Sequence, residues 1–157
     1  MTTTPRQRLE TLGIALPQAA SPVANYVAAV RTGQLLVVSG QLPLVEGRLS
    51  AIGKLGATVS VEAGADAARR CMVNVLAQLD AALGGDLSRV KRVVRLGGFI
   101  ACTPDFTQHA TVMNGASDLA VAVFGEQGRH ARSTIGVPSL PLDAPVEVEG
   151  LFEIEGE

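Results

Sequence analysis

Aromatic residues are scarce in this chain. Phe, Tyr and Trp together make up 3% of its 157 residues, and Trp is missing. The core must therefore be filled by Val, Leu, Ile and Ala. Basic runs are missing too. Thirteen Lys and Arg stand against fifteen Asp and Glu, for a net charge of −2. A dedicated nucleic-acid binder needs a basic face and often stacking aromatics, so nucleic acid is not an expected partner. There are two cysteines, Cys71 and Cys102, both in apolar settings, and they make no disulfide framework. His109 and His130 lie 21 positions apart, the cysteines 31, and no pair has ligand spacing. No metal site is expected. Nucleotide-cradling GxxxxGK[ST] and GxGxxG are absent, as is the GxSxG of a serine nucleophile. No stretch reaches the roughly 18 apolar residues of a membrane span, and MTTTPRQRLE has no apolar leader core. The expected location is the reducing cytoplasm, with no membrane partner.

What is present is a folding composition, 47% hydrophobic and 18% charged. The simplest division is one domain over 1–157. Thr4 and Pro5 open a short helix over 4–13, and 16–26 reads as a loop entering a sheet. Strand-like runs follow at Tyr26–Arg31 and Leu35–Ser39, with a turn at Thr32-Gly33. A small hairpin is expected around Glu46-Gly47. Over Val59–Leu83, residues Ala68, Cys71, Met72, Val75, Leu76, Leu79 and Leu83 recur at spacings of three and four. That spacing predicts a long helix capped by Ser60, with Cys71 and Met72 as core. A strand is predicted up to Cys102, with a bulge at Gly97-Gly98, and a second helix from Asp105 to Phe124. From Val146 apolar and acidic residues alternate strictly, the period of a half-buried strand.

The order predicts an α+β sandwich, a mixed sheet with two long helices of about five or six turns on one face. Two helices cannot cover the other face. An aliphatic second face implies a homo-oligomer with ligand sites at subunit junctions.

The segment HARSTIGVPSLPLDAPVEVE, 130–149, holds the candidate chemistry. Arg132 heads an apolar run, and its guanidinium can grip a carboxylate through two parallel hydrogen bonds. Glu147 follows fifteen residues later between two valines. If the two strands pair, a fixed cation and a fixed anion meet at one site. Ser39-Gly40-Gln41 ends a β run, where Gly allows close backbone approach.

Taken together, PVANYVAAV, VVSGQLP, the helix 60–83, RVKRVV, the Asn114 region, ARSTIGV and PVEVEG resemble the YjgF/RidA family, also labelled endoribonuclease L-PSP, over residues 17 to 155. The resemblance implies a chorismate-mutase-like α+β fold, a homotrimer and clefts between subunits. It leaves residues 1–16 as an N-terminal extension. It further implies hydrolysis of reactive enamine or imine acids such as 2-aminoacrylate to 2-oxo acids and ammonia, without a cofactor. By motif, Arg132 matches the arginine that holds the substrate carboxylate, and Glu147 the acid that positions or activates water. Tyr26, Gly40 and Asn114 match pocket-lining positions, with Ser39 and Gln41 completing the strand-end motif. The chain departs from the family pattern at His130, commonly Pro, and at Thr134, often Cys. Both flank Arg132, and two readings of His130 stand side by side: a solvated loop histidine, or a residue that borders the pocket and changes substrate size or charge. Two other functions fit the same residues: a non-catalytic trimer that binds small carboxylates, and a ribonuclease, which the acidic balance disfavours.

Overall fold

The computed structural model describes residues 2–21 and 24–156. A short helix, α1 (Pro5–Thr11), starts as its sequence predicts. Thr4 accepts from the Gln7 amide, and Gln7 returns a bond to the Thr4 amide. Strands β1 (Ala29–Thr32) and β2 (Leu35–Gln41) form a hairpin. β1 is shorter than the Tyr26–Arg31 run, because Tyr26–Ala28 leave the ladder. β3 (Leu44–Val45) and β4 (Arg48–Leu49) make the small hairpin, with Glu46 and Gly47 both at positive φ. The long helix α2 spans Val61–Ala82 under its Ser60 cap, and every residue of the expected apolar stripe is buried.

After a short 3₁₀ turn, β5 (Val90–Ala101) enters the sheet as an interior strand. Its irregularities fall at Val90/Arg92 and Val93/Arg95, so Gly97-Gly98 is not the expected bulge. The two glycines answer to neighbours on either face instead. A Cβ at Gly97 would lie 2.7 Å from Glu149 Oε1, and one at Gly98 would strike Met113 Sδ. Helix α3 covers His109–Phe124, about four and a half turns, and begins four residues later than expected. Gly125, at φ 63°, ends it. β6 (Ala131–Val137) and β7 (Val146–Ile154) complete the sheet, joined through a 3₁₀ turn at Pro141–Asp143.

The strand order is β1-β2-β7-β5-β6, with β5 and β6 parallel and the other pairs antiparallel. Both long helices lie on one face. Val38, Val93, Leu96, Ile100, Val148 and Phe152 of the sheet are fully buried against them, so the core is aliphatic apart from Phe152 and Phe124. Side chains of this kind each contribute roughly 1.5–3 kcal/mol on burial. The opposite face carries Val30, Leu35, Val37 and Ile135 in the open. No helix among the described residues is long and apolar enough to cross a membrane.

Candidate active site

Arg132 and Glu147 do not sit on paired strands. β5 runs between β6 and β7, with Leu96 beside Arg132 and Phe99 beside Glu147. Leu96 and Phe99 are three residues apart, so they face opposite sides. Within one chain, then, Arg132 points toward the helices and Glu147 toward the open face. The direct pairing of the two strands, on which a meeting within one chain depends, is absent, because β5 lies between them.

Arg132 is held from α3. Its Nη1 donates to Ser117 Oγ at 2.9 Å and its Nη2 to the Ala110 carbonyl at 3.3 Å. Ser117 Oγ also lies 2.9 Å from His130 Nε2, and His130 Nδ1 lies 2.6 Å from the Gly128 carbonyl. A carbonyl only accepts, so Nδ1 carries the ring proton. In the neutral ring Nε2 then accepts a hydrogen bond from the Ser117 hydroxyl, whose lone pairs accept from Arg132 Nη1. His130 is part-buried and shares Ser117 with the arginine, which departs from a solvated loop histidine. Among the described residues the other guanidinium N–H groups have no partner, so the fork keeps donors for a ligand.

Asn114 is exposed on α3, between Ala110 and Ser117 on the stripe that meets Arg132. Thr134 follows Arg132 on the same face of β6, and its buried Oγ1 has no partner among the described residues. Ser117 was not legible as a site residue. Its only signal is its place three positions after Asn114.

Glu147 belongs to a second cluster. β2 loses register with β7 between Val38 and Gln41, and Ser39-Gly40 lie in that irregularity. A Cβ at Gly40 would collide with Glu147 Oε1, so glycine is what lets the carboxylate lie against this backbone. Ser39 Oγ donates to the Val27 carbonyl at 3.0 Å, and its amide donates to Ala28 at 2.9 Å. These bonds bring the Tyr26 stretch alongside, with Tyr26 itself exposed. Burial pushes the Glu147 carboxyl above its ordinary range, and the charge of Glu149 adds to the shift. Among the described residues no hydrogen bond or ion pair engages it. Gln41 stays apart. Its Nε2 donates to the Ser39 carbonyl, and its Oε1 lies 3.5 Å from Gln78 Nε2. It braces the strand end from the helix side.

Among the described residues no group of three His, Cys, Asp or Glu could hold a metal ion. One further cluster went unforeseen. Cys102 and His109 lie in contact at the end of β5. The Thr103–Gln108 turn brings them together, and their separation of seven positions gives no sign of it.

A five-stranded mixed sheet with two helices on one face, an arginine on its edge strand and a shielded carboxylate on its open face define a chorismate-mutase-like α+β protein. The chain belongs to the family described as YjgF/chorismate mutase-like, putative endoribonuclease, whose model matches residues 6–153. It is 52% identical over 147 residues to Protein TCP17 of Trypanosoma cruzi, covering 93% of this chain and 91% of that one. It is 31% identical over 144 residues to a 2-iminobutanoate/2-iminopropanoate deaminase of Dermatophagoides farinae, covering 90% and 95%. The solved structure of Atu1372, a protein of unknown function from Agrobacterium tumefaciens, superposes with a TM-score of 0.91 at 47% identity, covering 96% and 92%.

Proposed function

We propose that this protein hydrolyses small reactive imino or enamino acids, of the 2-aminoacrylate kind, to 2-oxo acids and ammonia. In this reading it works as a homotrimer whose clefts join Arg132 of one subunit to Glu147 of the next. The observation that carries the proposal is the Arg132 fork, fixed by Ser117 and Ala110 with donors to spare. It suits a planar carboxylate. The opposed faces of Arg132 and Glu147 favour a shared site, since one chain cannot present both to one ligand.

The chemistry follows from these groups. Arg132 grips the substrate carboxylate and fixes the C=N carbon. Glu147 takes a proton from water as the oxygen adds to that carbon. It then delivers that proton to the nitrogen, carries the adduct's hydroxyl proton to the nitrogen as well, and the C–N bond breaks to release the 2-oxo acid and ammonia. An enamine first gains a proton from solvent at its β-carbon and loses one from nitrogen, becoming the imine. A carboxyl whose proton affinity is raised by burial suits both halves of that transfer. In this reading Thr134 and Asn114 line the arginine's side of the cleft, and Tyr26 and Ser39, with Gly40 against the carboxylate, line the glutamate's. No metal or organic cofactor enters these steps. The deaminase relative named above supports the reaction class.

The test is ammonia release from freshly generated imino acids. Arg132→Ala should lose roughly ten- to a hundredfold in kcat/KM, the worth of a charge-assisted clamp. Glu147→Gln should lose at least about a hundredfold in kcat, as expected for a positioned proton carrier. Carboxylate binding without ammonia release would instead make the protein a binder, and salt-sensitive RNA binding would favour the ribonuclease reading.

A further inference from the structure

A cavity of about 460 Å³ opens at the end of β5, between the loop carrying Lys54 and the first turn of α3. Its wall includes Lys54, Cys102, His109 and Gly136, with Phe106 and Val137 as apolar cover. Neither Arg132 nor Glu147 lines it. Cys102 Sγ lies 3.5 Å from His109 Nε2.

Several features hold this pair in place. The Cys102 amide donates to the Val137 carbonyl at 3.1 Å, and the neighbouring Ala101 and Thr103 are both bonded to Leu55. The His109 ring stands edge-on to Phe106, with centroids 5.3 Å apart. A Cβ at Gly136 would lie 2.7 Å from both Cys102 Sγ and His109 Nε2, so glycine leaves room for the two atoms to meet over β6. His109 is also the first residue of α3, at an end with no side-chain cap, where the helix dipole favours negative charge. Cys102 is only partly buried, whereas Cys71 is sealed in the core.

We propose that this cavity is a second site, where Cys102 is the nucleophile and His109 its base toward small α,β-unsaturated carboxylates. His109 Nε2 takes the thiol proton, and a sulfur lone pair forms a C–S bond at the β-carbon. The C=C pair moves to the α-carbon, where the imidazolium returns the proton. The product is a thioether that keeps every atom of thiol and acid. Nothing is oxidised and nothing leaves. Lys54 supplies the positive charge that selects a carboxylate. A cavity of this size suits a small molecule, and the proposal stands apart from the deaminase reading.

The test uses the full chain with acrylate and its neutral counterpart acrylamide. Adducts are located by peptide mass spectrometry, and rates are normalised to free glutathione. Cys71 is the internal control. Cys102 should take up acrylate at least about a hundredfold faster than glutathione, the low end of what a positioned base contributes. His109→Gln should remove most of that advantage. Gly136→Ala, which drives a methyl between the two atoms, should do the same by a separate route. Lys54→Gln should slow acrylate and spare acrylamide. The proposal is overturned if Cys102 matches glutathione, or if both His109→Gln and Gly136→Ala leave its rate unchanged. It is also overturned if Lys54→Gln slows both reagents equally.

Discussion

Ser117 is the smallest part of the site with a definite job. Beside a neutral His130 its hydroxyl donates a hydrogen bond to the ring and accepts one from Arg132, so one oxygen couples the two residues. Ser117→Ala removes that coupling and leaves the arginine in place. We expect KM for an imino acid to rise about tenfold, the worth of one hydrogen bond to a charged group, with kcat changing less. Steady-state kinetics on purified variants check this. His130→Pro should act in the same direction, since proline cannot hold the serine proton. Unchanged kinetics in both variants would remove the arginine's support from the account. Glu147 makes a second prediction at this scale. It must be ionised to take a proton from water, so kcat/KM falls as pH drops through its titration. Burial and Glu149 both raise that midpoint above the ordinary glutamate range. Glu149→Gln removes the like charge, lowers the midpoint and extends activity into acid. A pH–rate profile of the variant displaced toward alkali, or not displaced, contradicts this assignment.

The elements show how far local pattern carries. The apolar stripe of α2 and the strict alternation of β7 were legible because each repeats the period of its own geometry. The start of α3 was not. Thr103-Pro104-Asp105 has the composition of a helix entry, but Thr103 Oγ1 donates to the Asp105 carboxylate at 2.6 Å, and the Phe106 amide closes a turn back to Thr103. The polar groups that would cap a helix are spent on the turn. Motif order identified Arg132, Glu147 and Gly40 as candidates, but the relation of the first two lay beyond it. Sequence proximity suggests a hairpin of β6 and β7, and only the full sheet shows β5 inserted between them. Small residues decide how the helices meet. A Cβ at Gly115 of α3 would strike the Ala65 carbonyl of α2, and backbone cannot step aside as a side chain can. Gly115→Ala should therefore cost about 1–3 kcal/mol through overpacking, despite alanine's better helix propensity. Urea unfolding measures it, and a stabilised variant would contradict the close approach.

The whole molecule leaves one sheet face bare. Val30 is 50% exposed, Val37 44% and Ile135 52%, all opposite the helices. An apolar patch of this kind on a sheet face calls for a partner. In the proposed trimer a neighbouring subunit covers it and brings its own Arg132 toward Glu147. Val37→Asp should then release monomers, seen by sedimentation, and abolish ammonia release with the fold intact. A variant that stays assembled and active would show that this face is not the junction. The most direct measurement mixes two inactive variants. Arg132→Ala and Glu147→Gln chains are unfolded together, refolded in equal amounts and assayed for ammonia release from a fresh imino acid. A site shared between subunits is intact wherever an Arg132-bearing chain meets a Glu147-bearing one, so the mixture should recover roughly a quarter of wild-type activity under random assembly. A mixture as inactive as its components, beside an active wild type refolded in the same way, would contradict the shared site.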